Sequence, residues 1–189
     1  MPSSATEGKA NIKKMINKMI ANEKFKFLDL GCGRGTYSRL IEKPCYRVGV
    51  DAMDYREKFE LDKWYDKFVQ HDIRDTAFLK TLGKYDLIIA GDVLEHMTVE
   101  EARKVIDTIK EMAEVVIIAL PFEYPQYRKN NHWENHVQDD LTPALVKERY
   151  PEFVTISLHR SKQPPWNGKY FYGYYIWVKG VTKNDSKEM

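Results

Sequence analysis

Cysteine is scarce in this chain, with only Cys32 and Cys45 among 189 residues. Two thiols cannot build a disulfide framework, and such sparing use favours a reducing compartment. Long hydrophobic runs are missing as well: no stretch stays apolar over the about 18 residues that a membrane span needs, and no secretory signal is recognisable. Neither sign of charge dominates, because 30 Lys and Arg stand against 28 Asp and Glu, a formal balance of +2. A global electrostatic pull toward nucleic acid or anionic lipid is thereby excluded. With 43% apolar and 31% charged residues the composition is globular. A single cytoplasmic domain spanning residues 1–189 is expected, large enough to bury a core without staples.

What the chain does have is a glycine loop behind an apolar run. Phe27-Leu28-Asp29-Leu30 leads into Gly31-Cys32-Gly33-Arg34-Gly35. Glycines at alternate positions let a backbone turn sharply off a strand and approach a ligand with no Cβ in the way. Residues 36–42 are compatible with a helix, so loop amides and a helix N-terminus are expected to face a bound nucleotide. The dinucleotide fingerprint G-x-G-x-x-G/A requires Gly or Ala at position 36, where Thr36 stands. A nicotinamide-dependent oxidoreductase is therefore the weaker reading.

Around the loop, strand and helix signals alternate. Ile12, Met15, Ile16, Met19 and Ile20 recur at the spacing of an amphipathic helix that packs on a sheet. Residues 46–50 read as a second strand ending at Asp51, 20 positions past Gly31. In doubly wound folds a strand-end acid at that distance meets ribose hydroxyls; an aspartate in a surface turn would look the same. Residues 67–70 form a third strand closed by His71-Asp72-Ile73, and residues 85–90 a fourth, followed by Gly91-Asp92-Val93-Leu94-Glu95-His96-Met97. Thr98 and Glu101 make a capping box for a helix whose apolar face is Val99, Ala102, Val105, Ile106, Ile109 and Met112. Residues 114–120, nearly all apolar, suit a strand buried on both faces. This alternation predicts a parallel sheet with right-handed crossovers.

Residues 121–140 break the pattern. They are polar and aromatic without a period, and are expected to form a lid or substrate loop. Thr142-Pro143 opens another helix. Residues 153–159 and 174–181, separated by Pro164, Pro165, Asn167 and Gly168, lie too close for a helical crossover and should pair antiparallel. Residues 1–8 and 183–189 are expected to be flexible.

The order Asp-x-Gly-x-Gly-x-Gly from Asp29 resembles the first motif of the class I S-adenosylmethionine-dependent methyltransferases. The late antiparallel strand is similar to theirs, and the resemblance covers roughly residues 25–181. It implies a Rossmann-like methyltransferase fold: α/β, doubly wound, a mostly parallel seven-stranded sheet with an antiparallel last strand. S-adenosyl-L-methionine is the cofactor it implies. Asp29 would lie near the methionine end, with Gly31, Cys32 and Gly33 in the loop. Asp51 and Ala52 would meet the ribose, Asp72 and Ile73 the adenine, and Asp92 would close the fourth strand. Asp72 could equally cap the next helix.

Ligands of such sheets bind outside the carboxyl ends of the strands. His96 is the first choice for a catalytic base there, with Glu95 as its rival and His136 a further candidate; a residue at this turn could also merely support the following helix. His132 and His136, four apart, would share a helical face. A zincin needs Glu directly after the first His, where Trp133 stands. Asp139 or Asp140 could complete a metal set, but no metal is expected. His132, Trp133 and Tyr124 are expected to contact the acceptor. Enzymes that methylate nucleic-acid bases often carry Asp/Asn-Pro-Pro-Tyr/Phe after the fourth strand, and Gly91-Asp92-Val93-Leu94 departs from it. The Asp-Val-Leu-Glu-His turn resembles the group acting on small molecules or sugars. Methyl transfer to a small-molecule or glycan-type acceptor is thus expected, with a non-catalytic cofactor-binding module as the alternative and no membrane partner.

Overall fold

The computed structural model describes residues 7–127, 130–161 and 168–181. The helices are α1 (Lys9–Met19), α2 (Arg56–Phe59), α3 (Thr76–Thr81), α4 (Val99–Met112) and α5 (Pro143–Arg149). The strands are β1 (Lys26–Leu30), β2 (Tyr46–Asp51), β3 (Lys67–Gln70), β4 (Tyr85–Gly91), β5 (Ala113–Pro121), β6 (Val154–Arg160) and β7 (Tyr170–Val178). They form one seven-stranded sheet in the order β3-β2-β1-β4-β5-β7-β6. Six strands run parallel, and β7 lies antiparallel between β5 and β6. This is the Rossmann-like methyltransferase architecture expected from the sequence.

Each strand sends alternate side chains to opposite faces, so each central strand feeds two cores. Leu28, Leu30, Ile88, Ala90, Val116 and Ile118 pack beneath α3, α4 and α5. Phe27, Leu87, Ile89, Ile117 and Ala119 pack beneath α1, whose Ile12 and Ile16 are fully buried, as is Ile20 just past its end. The capping box of α4 forms as read: Thr98 Oγ1 accepts from the Glu101 N–H, and the Glu101 carboxylate accepts from the Thr98 N–H. Thr142 caps α5 with Pro143 in its first turn.

Two local expectations need correction. The helix expected over residues 36–42 is only a single 3-10 turn, Ser38–Leu40. Its side chains are used elsewhere: the Ser38 hydroxyl donates to the Trp64 carbonyl and the Arg39 Nε to the Arg34 carbonyl. Such side-chain bonds to backbone compete with helix propagation. The last strand begins at Tyr170 rather than 174. Gly173 sits inside it, where a Cβ would stand 2.6 Å from the Phe122 ring.

Both cysteines are free. Among the described residues no helix is long and apolar enough to cross a membrane. Apart from Glu7 and Gly8, the ends expected to be flexible lie outside the described residues, as do Pro164, Pro165 and Asn167.

Candidate active site

Strand order reverses between β1 and β4, and a crevice opens at their carboxyl ends, where doubly wound sheets bind ligands. The space between its walls, open mouth included, is about 670 Å³. Gly31 and Gly33 form one wall, both with positive φ (65° and 48°). A Cβ on Gly33 would meet nothing closer than a carbonyl at 3.9 Å. Any side chain there would occupy the space a ligand needs.

Asp51 ties this loop to β2. Its Oδ2 accepts the Gly33 N–H at 2.8 Å, and its Oδ1 accepts the Met53 N–H at 2.9 Å. Burial pushes the carboxyl up, against those two amide bonds. Each oxygen keeps a lone pair for a further donor, which suits two vicinal hydroxyls. Ala52 lines the crevice beside it.

Asp72 and Ile73 line the crevice past β3. The Asp72 carboxylate accepts from the Arg74 Nε at 2.9 and 3.0 Å. Burial works to raise its pKa, but the bonds from the Arg74 side chain and N–H outweigh this and hold it below the usual range. Asp72 does not cap α3; Asp75 does, accepting from the Phe78 N–H.

Asp29 and Cys32 lie beneath the loop rather than on the crevice wall. Asp29 is 1% exposed and accepts a 2.6 Å hydrogen bond from the Tyr65 hydroxyl. Burial pushes its carboxyl up to about 7, opposed by that bond and reinforced by the charge of Asp51. Burial likewise raises the Cys32 thiol well above its ordinary value. Asp92 closes β4 in a left-handed conformation, φ 54°. The Tyr172 hydroxyl, reaching over from β7, donates to its Oδ1 at 2.7 Å. A non-glycine residue held in this region is a form of strain that concentrates at functional sites.

At the far end Glu95 and His96 form a 3-10 turn with Leu94. His96 lines the crevice, while Glu95 is 1% exposed. Burial pushes the Glu95 carboxyl well up, as does the charge of Asp92. His96 Nδ1 donates to the Asn135 carbonyl at 3.0 Å, and His136 Nδ1 to the Tyr124 carbonyl at 2.6 Å. A carbonyl can only accept, so both imidazoles carry hydrogen on Nδ1 and a lone pair on Nε2. Burial, helped by His136, lowers His96 to about 4; burial also lowers His136. Both rings are neutral at neutral pH.

The 121–140 segment brings these groups together. Gln138, 4% exposed, donates to the carbonyls of Leu94 and Met97, and the N–H groups of Val137 and Gln138 bond the Glu95 carbonyl. His136 is thereby held against His96, the ring centroids 4.8 Å apart. Trp133 lines the crevice under the Arg74 guanidinium, 4.7 Å from its ring centroid. The Tyr55 hydroxyl reaches Glu134 at 3.3 Å. Tyr124 contributes its carbonyl and an edge contact to His136, and is 41% exposed itself. His132 leans on Trp133 and does not line the crevice.

Sequence reasoning missed Met53, Tyr55, Arg74, Val93, Met97 and Glu134, all of which line the crevice. Met53 and Tyr55 were within reach, since they follow Asp51 by two and four positions. Tyr65 and Tyr172 carry no local signal, because each finds its acid only through the sheet.

A family model described as a methyltransferase domain matches residues 28–115, from β1 through the start of β5. Over these residues, just under half of its length, the chain carries a methyltransferase domain. No curated protein sequence matches this chain. Among solved structures it is similar to TehB from Haemophilus influenzae (TM-score 0.62, 17% identity, 89% of this chain and 62% of that one). It thus spans about three fifths of TehB's length. It is also similar to magnesium protoporphyrin IX methyltransferase from Synechocystis PCC 6803 with bound S-adenosylmethionine (TM-score 0.58, 15% identity, 94% and 87% covered). A third likeness is to the N-terminal domain of EvdMO1 in the presence of S-adenosylhomocysteine and D-fucose (TM-score 0.64, 11% identity, 93% and 84% covered). At these identities the likeness is one of fold. The cofactor that the methyltransferase family implies fits the residues present: a glycine wall with no Cβ in the space, then acids at the tips of β2 and β3.

Proposed function

We propose that this protein transfers a methyl group from S-adenosylmethionine to a small-molecule or glycan-type acceptor by in-line displacement. The observation that carries the reading is the meeting of the cofactor crevice with a second polar centre, Glu95, His96 and His136, of which His96 lines the crevice together with Trp133. The cofactor supplies the methyl group on a sulfonium that leaves as a neutral thioether. Asp51 would hold its ribose, Gly31 and Gly33 would admit its backbone-facing side, and Ile73 would lie along the adenine. Trp133 would wall the acceptor, with His132 and Tyr124 at the outer edge. Most of the acceleration then comes from holding the acceptor in line, worth up to about 7–11 kcal/mol in favourable cases.

EvdMO1's structure in the presence of D-fucose and the porphyrin named for the Synechocystis enzyme both support a small-molecule acceptor. A module that only binds cofactor would have no use for a buried acid facing two imidazoles. The test is an acceptor screen with radiolabelled cofactor and fractionated cell extract. A labelled product of low molecular mass is expected; label appearing only in nucleic acid, or in nothing, would overturn the reading.

Two binding measurements probe the pose. Asp51→Ala removes the ribose partner and the tether to Gly33, and should weaken S-adenosylhomocysteine binding by about 1–3 kcal/mol, about 5- to 150-fold. Equal affinities by calorimetry would remove Asp51 from the site. Trp133→Ala loses one partly exposed cation–π contact, worth about 1 kcal/mol, and should raise the same constant about fivefold. No change would show that the 121–140 segment does not cover the cofactor.

A further inference from the structure

We propose that Glu95, His96 and His136 form a binding site for a first-row divalent cation at the acceptor end of the crevice. One oxygen and two nitrogens converge there. His96 Nε2 and His136 Nε2 each lie 4.0 Å from the same atom, Glu95 Oε1. All three donor atoms fall within 4.8 Å of one another. The two Nε2 atoms carry lone pairs, because each ring spends its hydrogen on a backbone carbonyl through Nδ1.

That arrangement makes little sense for the protein alone. Two unprotonated nitrogens cannot donate to a carboxylate, and 4.0 Å is too long for a hydrogen bond in either direction. Glu95 is 1% exposed, and its Oε2 has no hydrogen-bond partner among the described residues. A buried carboxyl in that condition costs stability and calls for an explanation. A cation bound by all three donors supplies one. At the centre of such a triangle it would lie about 2.3–2.5 Å from each donor, so a contraction of a few tenths of an ångström reaches ordinary metal distances of about 2.0–2.2 Å. The Nδ1–H bonds to the carbonyls of Asn135 and Tyr124 are the outer-shell contacts that fix tautomer and ring orientation in histidine metal sites.

The donor set selects the ion. Two imidazoles with one carboxylate suit Mn²⁺, Fe²⁺, Co²⁺ or Zn²⁺ rather than Ca²⁺, which takes oxygen ligands. Three protein ligands leave positions open, as catalytic sites do, and His96 places those positions next to the crevice. The sequence pointed away from this site by pairing His136 with His132, whose ring leans on Trp133 instead.

The cation's use rests on the methyl-transfer reading; its binding does not. A hydroxyl acceptor coordinated to it would release its proton to solvent more readily. Its oxygen would then take the methyl carbon while the carbon–sulfur electron pair returns to sulfur. On this account the acceptor is an alcohol, phenol or sugar hydroxyl.

The test is titration of the chelator-treated full chain with Co²⁺ alone, followed by visible absorption and calorimetry. One equivalent should bind, with the d–d bands of nitrogen and oxygen ligation. Glu95→Gln and His136→Gln should each weaken uptake at least 30-fold with circular dichroism unchanged. Should Glu95→Gln unfold, His136→Gln and His136→Asn carry the test. Absence of uptake by the wild type at millimolar Co²⁺ and Mn²⁺ overturns the proposal, as does equal uptake by folded variants. S-adenosylhomocysteine is titrated into the same samples. Co²⁺ uptake without nucleotide binding would sink the methyl-transfer reading and keep the cation site; nucleotide binding without uptake does the reverse.

Discussion

Replacing Asp29 by Asn is expected to stabilise the protein by about 4 kcal/mol at pH 8, an advantage that fades as the pH falls toward 4. The cause is the burial of a charge. Asp29 is 1% exposed beneath the glycine loop, and its carboxyl titrates at about 7 in the folded protein against an ordinary 3.8. The folded chain therefore holds this proton more tightly than the unfolded chain does. Stability from the protonated group is complete below about pH 3.8 and is lost as the pH rises through about 7. The span between those values amounts to about 4 kcal/mol. Asparagine keeps an oxygen to accept the Tyr65 hydroxyl and carries no charge to desolvate. Urea unfolding of both proteins from pH 4 to 8.5 measures the difference directly. Parallel stability profiles would mean that Asp29 ionises as freely in the folded state as outside it.

Asp29 also marks where sequence reading stops. That an acid stands at the end of β1 is plain from the string Leu28-Asp29-Leu30-Gly31; that a tyrosine 36 positions on covers it requires the sheet. The same division runs through the fold. Apolar runs of β1, β4 and β5 and the Thr98–Glu101 box are local signals, and the elements appear within a residue or so of where they were expected. The turn at Ser38–Leu40 was illegible because its competitor is the distant Trp64 carbonyl. In the candidate site, Asp51 and Asp72 are legible from register, since each ends a strand whose neighbours are also recognisable. His136 is not: it joins His96 only through the path of the 121–140 segment, which Gln138 sets by bonding back to Leu94 and Met97.

Gly31→Ala should cost about 2–5 kcal/mol of stability and abolish measurable S-adenosylhomocysteine binding, the combined result of two separate penalties. The first is backbone: φ at Gly31 is 65°, a region that costs an L residue about 1–2 kcal/mol. The second is space. A Cβ at Gly31 would stand 2.3 Å from Val93 Cγ2 and 2.6 Å from Val93 Cβ. Rotating the valine side chain cannot relieve the second contact, since Cβ is fixed to the backbone. The turn after β4 must then move, at about 1–3 kcal/mol for overpacking. That turn carries Asp92 and His96, so the displacement deforms the crevice as well as the fold. Gly83→Ala separates the two penalties. Gly83 has φ 88°, but a Cβ there would meet nothing within 4 Å. It should lose only the backbone share, about 1–2 kcal/mol, and keep its nucleotide affinity. Equal losses in the two variants would show that the glycine is needed for its conformation alone and that β1 and β4 do not approach as closely as Val93 implies. A larger loss at Gly31, with binding gone, places the requirement in the close packing of the two strand ends around the cofactor.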